Sequence, residues 1–120
     1  MHYTKLKISS EATSKLRTLK SRTGLTPNLL CRMALMYSLE EGALGENTPL
    51  PNENGAEFNA YTLTGEYTEL FLSLLNYVEN NNPKDNKLFL DRMRSHIDRG
   101  IAMMFIRFKN SEVLLAKLID

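Results

Sequence analysis

The hydrophobic and polar positions of this chain change period as it is read from the N-terminus. Tyr3-Thr4-Lys5-Leu6-Lys7-Ile8 alternates with period two, with Thr4, Leu6 and Ile8 on one side and Tyr3, Lys5 and Lys7 on the other. That is the pattern of a short, half-buried strand. The period then becomes helical: Ser9 or Ser10 is available as a cap, and Ala12, Leu16 and Leu19 form a narrow apolar stripe. The first helix is predicted to stop near Arg22, because Thr23-Gly24 supplies the left-handed residue that helix ends favour. Thr26-Pro27 follows as N-cap and first helical position, opening a second helix predicted to reach about Glu41 and to end at Gly42.

In that second helix Leu29, Leu30, Met33, Ala34, Leu35, Met36, Tyr37 and Leu39 point in most directions around the axis. A helix apolar nearly all round must be covered on more than one side. A second subunit is the expected cover, so the sequence predicts a homo-oligomer. Cover by later helices of the same chain is the alternative.

Residues 43–57, with Pro49, Pro51 and Gly55, read as a surface loop, and Phe58 to Leu63 as a short extended piece. Thr64 is predicted to cap a third helix with Tyr67, Leu70, Phe71, Leu74, Leu75 and Val78 on one face, broken by Asn80-Asn81-Asn82-Pro83. Glu66 and Glu69 fall in its first turn, where the helix dipole favours negative charge. A fourth helix is predicted over about Asp85 to Phe108, with Phe89, Met93, Ile97, Ile101, Met104 and Phe108 inward. Lys87, Asp91, Arg94 and Asp98 form its expected charged face. A short final helix, capped by Asn110 or Ser111, carries Val113, Leu114, Leu118 and Ile119. The fold class is therefore mainly α: a compact helical domain with a short N-terminal strand. Residues 1–120 are expected to be one domain, with a basic part over 1–42 and a helical part over 58–120.

Composition narrows the function classes. The chain has 120 residues, 42% hydrophobic and 24% charged, which suits a single globular unit. Its longest apolar run, Ile101 to Ile106, is far too short to cross a bilayer, and no export signal is visible. A single cysteine, Cys31, allows neither an internal disulfide nor a cysteine-based metal cluster, so a cytoplasmic location is expected. The net charge of +1 conceals an asymmetry. Residues 1–42 carry seven basic groups against three acidic ones, and residues 43–80 carry six Glu with no Lys or Arg. A basic N-terminal third points to a polyanion, and duplex DNA is the commonest.

The order strand, helix, glycine turn, helix, all basic, resembles the start of the ribbon-helix-helix DNA-binding family. The resemblance implies a ribbon shared by two subunits, with Tyr3, Lys5 and Lys7 on its exposed face. Lys15 and Arg22, seven residues apart, share one side of the first helix, while Arg17 and Lys20 project elsewhere. Thr26-Pro27-Asn28 would present the N–H groups of a helix start to phosphate. The candidate DNA-binding residues are thus Lys5, Lys7, Lys15, Arg17, Lys20, Arg22 and Thr26. Flexible lysines without Arg, Asn or Gln at the alternating strand positions suit backbone contact better than base reading. A merely solvated cationic face is the bland alternative.

No catalytic constellation emerges. His2 and His96 have no metal-ligand spacing, and Cys31 on the apolar second helix reads as a small buried hydrophobe. His96 reads as a partly exposed structural histidine. Glu66 and Glu69 have no nucleophile or base nearby in sequence. No enzyme activity, cofactor or metal is expected.

Tyr61-Thr62-Leu63-Thr64-Gly65-Glu66-Tyr67 and His96-Ile97-Asp98-Arg99-Gly100-Ile101, taken with the basic start, resemble the small E subunit of DNA phosphorothioation (Dnd) systems, the DndE family. The resemblance runs over essentially the whole chain. It implies a non-catalytic DNA-binding subunit of a restriction-modification type system that places sulfur in the DNA backbone. It also implies a helical homo-oligomer, a homotetramer, that holds nicked double-stranded DNA and works with other Dnd subunits. A ribbon-helix-helix transcriptional regulator or antitoxin is the second reading, and a scaffold whose acidic 43–80 region docks a basic partner is the third.

Overall fold

A computed structural model describes residues 3–80 and 86–108. The elements run β1 (Lys5–Lys7), α1 (Ser10–Thr23), α2 (Pro27–Glu41), β2 (Glu57–Asn59) and α3 (Ala60–Leu63). A 3-10 turn over Gly65–Tyr67 leads into α4 (Thr68–Glu79), and α5 (Asn86–Arg107) follows. The predicted final helix and the Asn81–Pro83 part of the predicted break lie outside the described residues.

The capping chemistry anticipated for the first two helices is present. Ser9 Oγ accepts from Ala12 N at 3.0 Å to start α1, and Gly24, at φ 75°, returns its N–H to the Lys20 carbonyl at 2.8 Å to end it. Thr26 Oγ1 accepts from Leu29 N at 3.3 Å at the start of α2. α2 and α5 cross at the centre and bury Leu30, Ala34, Leu35, Ile97, Ile101 and Met104 completely or nearly so. The crossing is close because Gly100 rests on the backbone of Ala34, where any Cβ would collide.

Cover for α2 comes from within the chain on one side: α5, α1, α3 and α4 pack on it. Leu29 and Met36 nevertheless stay 40% and 47% exposed. The in-chain alternative thus accounts for most of the apolar surface of α2 and leaves a strip open.

Four expectations are corrected. β1 pairs antiparallel with β2 of its own chain, Leu6 opposite Phe58, and the Lys7 carbonyl on its outer edge accepts from Arg94. Among the described residues the ribbon partner of the strand is therefore β2 of the same chain, not a second copy of β1. Tyr3 is buried, not on the exposed face with Lys5 and Lys7, because its hydroxyl reaches Thr64 Oγ1 at 2.6 Å. The extended piece ends at Asn59, whose side chain caps the single turn of α3. Arg94 is buried: its guanidinium donates to the Lys7, Pro51 and Asn52 carbonyls as well as to Asp91 and fastens β1 and the loop to α5.

The apolar face of α4 is also rotated. Phe71, Leu72 and Leu75 are buried, while Tyr67 and Leu70 are exposed. Gly65, at φ 53°, and the 3-10 turn after it break the helical phase that the sequence pattern carried from Tyr67.

Candidate nucleic-acid interface

The structure sorts the six candidate cations into three places and leaves Thr26 outside them. Lys5 and Lys7 flank the buried Leu6 on β1 and face solvent. They border a groove of about 440 Å³ that also takes in Glu53, Glu57, Lys87 and Asp91. Lys5 Nζ lies 3.9 Å from Glu57 Oε1, so the cationic charge of this groove is offset by carboxylates.

Lys15 and Arg22 do share one side of α1, as their spacing implies. Both lie over the Phe105 ring of α5, with Lys15 Nζ 6.0 Å and the Arg22 guanidinium carbon 5.7 Å from its centroid. The ring quadrupole attracts both cations and holds them near one point without neutralising either. Arg17 and Lys20 project elsewhere and border a second groove, of about 430 Å³, between α1, the start of α2 and β2. Its lining includes Leu16, Phe58, Asn28, Asn59 and Thr62, and Glu57 lines this groove as well as the first. Thr26 lies beyond this lining, and its hydroxyl oxygen is engaged as the cap of α2. Among the described residues, Lys5 is the one candidate cation with a carboxylate within 4 Å.

The second sequence motif proves to be a framework. Asp98 accepts from Ser9 Oγ, and Arg99 donates to the Ser38, Gly42 and Ala43 carbonyls, closing the end of α2. His96 is fully buried, contrary to the partly exposed position expected, because the end of α4 closes over it. Arg99 Nε donates to Ser38 Oγ (2.8 Å), the Ser38 hydroxyl donates to His96 Nδ1 (2.8 Å), and His96 Nε2 donates to Glu79 Oε2 (2.8 Å). Leu44 N and Arg92 complete the bonds to Glu79. Burial lowers the His96 pKa, against the pull of Glu79, so the ring is neutral at pH 7. The order Ser–His–Glu is that of a hydrolase relay, but Ser38 and His96 have no exposed surface. The arrangement therefore acts as a buried brace.

In the first motif Arg32 donates to the Thr62 and Leu63 carbonyls, Leu63 enters the core, and Thr64 Oγ1 bonds Tyr3 and Thr68. Tyr61, by contrast, is 88% exposed. It is a candidate functional residue that the pattern of cations did not single out, and its place in the motif was the available signal. Cys31 is buried, and burial pushes its thiol up to about 12, which removes thiolate chemistry at neutral pH. Among the described residues no group of three or more His, Cys, Asp or Glu is placed to hold a metal ion. Likewise no described helix is long and apolar enough to cross a membrane.

Comparison with known proteins gives this arrangement a family. The family model described as DNA sulphur modification protein DndE matches residues 5–112. In fold the chain is similar to DndE from Escherichia coli B7A, a protein involved in DNA phosphorothioation modification, with a TM-score of 0.73. The two share 24% identity over 85% of this chain and 98% of that one. It is likewise similar to the DndE G21/24K mutant involved in DNA phosphorothioation (TM-score 0.73, 22% identity), covering 87% of this chain and 99% of the other. No protein of curated function matches. Two framework motifs in the expected order, a strand–helix–turn–helix start and a family match over nearly the whole length place this chain in the DndE family of DNA sulphur modification proteins.

Proposed function

We propose that this protein is a non-catalytic, DNA-binding subunit of DNA phosphorothioation, an oligomer that holds duplex DNA, nicked in preference to intact, beside the other Dnd subunits. The observation that carries this reading is the solvent-facing set of cations on β1 and α1, most of them without a carboxylate partner among the described residues, in a member of the DndE family. Cations of this kind displace counterions from phosphates whatever the base sequence. One chain divides them among three places. Copies set side by side in a homotetramer join such places into a track longer than one subunit. The exposed strip of α2 around Leu29 and Met36 supports assembly. A nicked duplex bends at low cost and follows such a track over more phosphates.

The test is a salt-titrated binding assay on matched intact and nicked duplexes of random sequence, with the oligomer mass measured in the same buffer. Tight binding that falls steeply with salt and favours the nick is expected. Paired alanine variants at Lys5/Lys7, Lys15/Arg22 and Arg17/Lys20 then rank the three places. A pair that contacts two phosphates lowers the slope of log K against log salt by about 2. Equal affinity for intact and nicked duplex sinks the preference, and salt-independent binding sinks the electrostatic mechanism.

A further inference from the structure

The groove bordered by Arg17 and Lys20 brings cations together with apolar and amide side chains. Its lining is apolar at Leu16, Phe58, Ala56 and Pro27 and amide or hydroxyl at Asn28, Asn59 and Thr62, and the Glu57 carboxylate stands at it beside the two cations. At about 430 Å³ it falls within the range of small-ligand clefts, roughly 300–1,000 Å³. A phosphate track needs no apolar lining. A nucleobase does, together with amide groups for its edge and cations for its phosphate.

A second observation points the same way. Tyr61 stands next to Thr62 on the short helix α3 and is 88% exposed. The helix that carries it is clamped at both ends: Asn59 Oδ1 accepts from Thr62 N and Thr62 Oγ1 at 2.9 Å, and Arg32 holds the Thr62 and Leu63 carbonyls. An exposed aromatic side chain on a fixed backbone is the kind of platform on which unpaired bases stack.

Resting on the DNA-binding reading above, we propose that this groove takes one unpaired nucleotide at a strand break. Arg17 and Lys20 hold its phosphate, and the base reaches past Thr62 to stack against Tyr61. A base inside intact duplex is already stacked and paired and cannot enter. A base at a broken strand end leaves its neighbour at far lower cost. The groove thereby gives the chain a means of distinguishing a break that does not depend on bending of the duplex.

The experiment uses the full chain. Affinities of the unmutated protein, Tyr61→Ala and Tyr61→Phe are measured on intact, nicked and single-nucleotide-gapped duplexes at fixed salt, with melting curves to verify folding. Because Tyr61 is exposed, both variants are expected to fold. Tyr61→Ala is expected to reduce the preference for broken over intact duplex by about tenfold, and Tyr61→Phe to retain it. In parallel, a 5′-phosphorylated DNA tetranucleotide is titrated against the ¹⁵N-labelled protein. Amide shifts at Asn28, Asn59 and Thr62 are expected. An undiminished preference in Tyr61→Ala, or shifts confined to other surfaces, overturns the groove assignment while leaving the DNA-binding reading in place. Failure of the unmutated protein to bind any of the duplexes overturns that reading and this one together.

Discussion

Gly100 carries no side chain because α5 crosses α2 against the backbone of Ala34, and backbone cannot step aside as the end of a side chain can. Gly100→Ala is therefore expected to cost about 3 kcal/mol or more, despite the better helix propensity of alanine. Urea unfolding measures it, and a stability equal to that of the parent would show that the helices can part at no cost. Four residues earlier, His96 is held neutral by burial, with Glu79, Arg99 and Arg92 around it. Its folded pKa lies below the ordinary value of 6.5, so below that pH the unfolded chain binds the extra proton. Stability then rises with pH across this window and is lost as pH falls below about 6.5, by up to about 1.4 kcal/mol per unit. His96→Gln is expected to lose less stability than the parent between pH 7 and pH 5.5, and an equal loss would remove His96 as the cause. Cys31, with its thiol near 12, is expected to react with a thiol reagent at pH 7.5 only when the chain is unfolded.

At the scale of elements, one arginine ties the strand and the middle of the long loop to α5. Arg94 joins α5 to the carbonyls of Lys7, Pro51 and Asn52, which have no other anchor to that helix in the hydrogen-bond network of the described residues. Arg94→Met fills similar volume but leaves those acceptors without their donor. We expect a loss of about 3 kcal/mol and faster hydrogen exchange at the Ile8 and Gly55 amides, which close the pairing between β1 and the loop. Exchange unchanged at both amides would mean that the strand pairing holds without the arginine. The sequence pattern assigned Arg94 to an exposed charged face because Asp91 precedes it by three residues, and that ion pair does form at 3.4 Å. What the pattern lacked was the loop returning over it. The same holds for α4: the apolar spacing was legible, but the 3-10 turn before it shifted which residues face inward.

For the whole molecule, the cations of α1 were legible as two sets by helical spacing alone, and the structure gives each set a different neighbour: Phe105 for Lys15 and Arg22, the apolar groove for Arg17 and Lys20. Assembly belongs to this scale too. If the α2 strip around Met36 is the contact between copies, Met36→Glu is expected to reduce the oligomer to a smaller species in light scattering, with helix content unchanged. An unaltered mass would place the contact elsewhere.

The sequence by itself determined the helices α1 and α2, the ends marked by Gly24 and Thr26, the inward face of α5, and the family. Those features follow from interactions between residues close in the chain, or from a period that any helix imposes. Tertiary structure alone decided the partner of β1, the burial of Tyr3, Arg94 and His96, and the neighbours that each set of cations meets. Each of these depends on groups far apart in the chain meeting in the fold, as in His96 with Glu79, 17 residues apart, and Arg94 with Lys7, 87 residues apart. Local spacing carries no information about such meetings, because they are set by how the elements pack and by which buried polar atoms must find partners there.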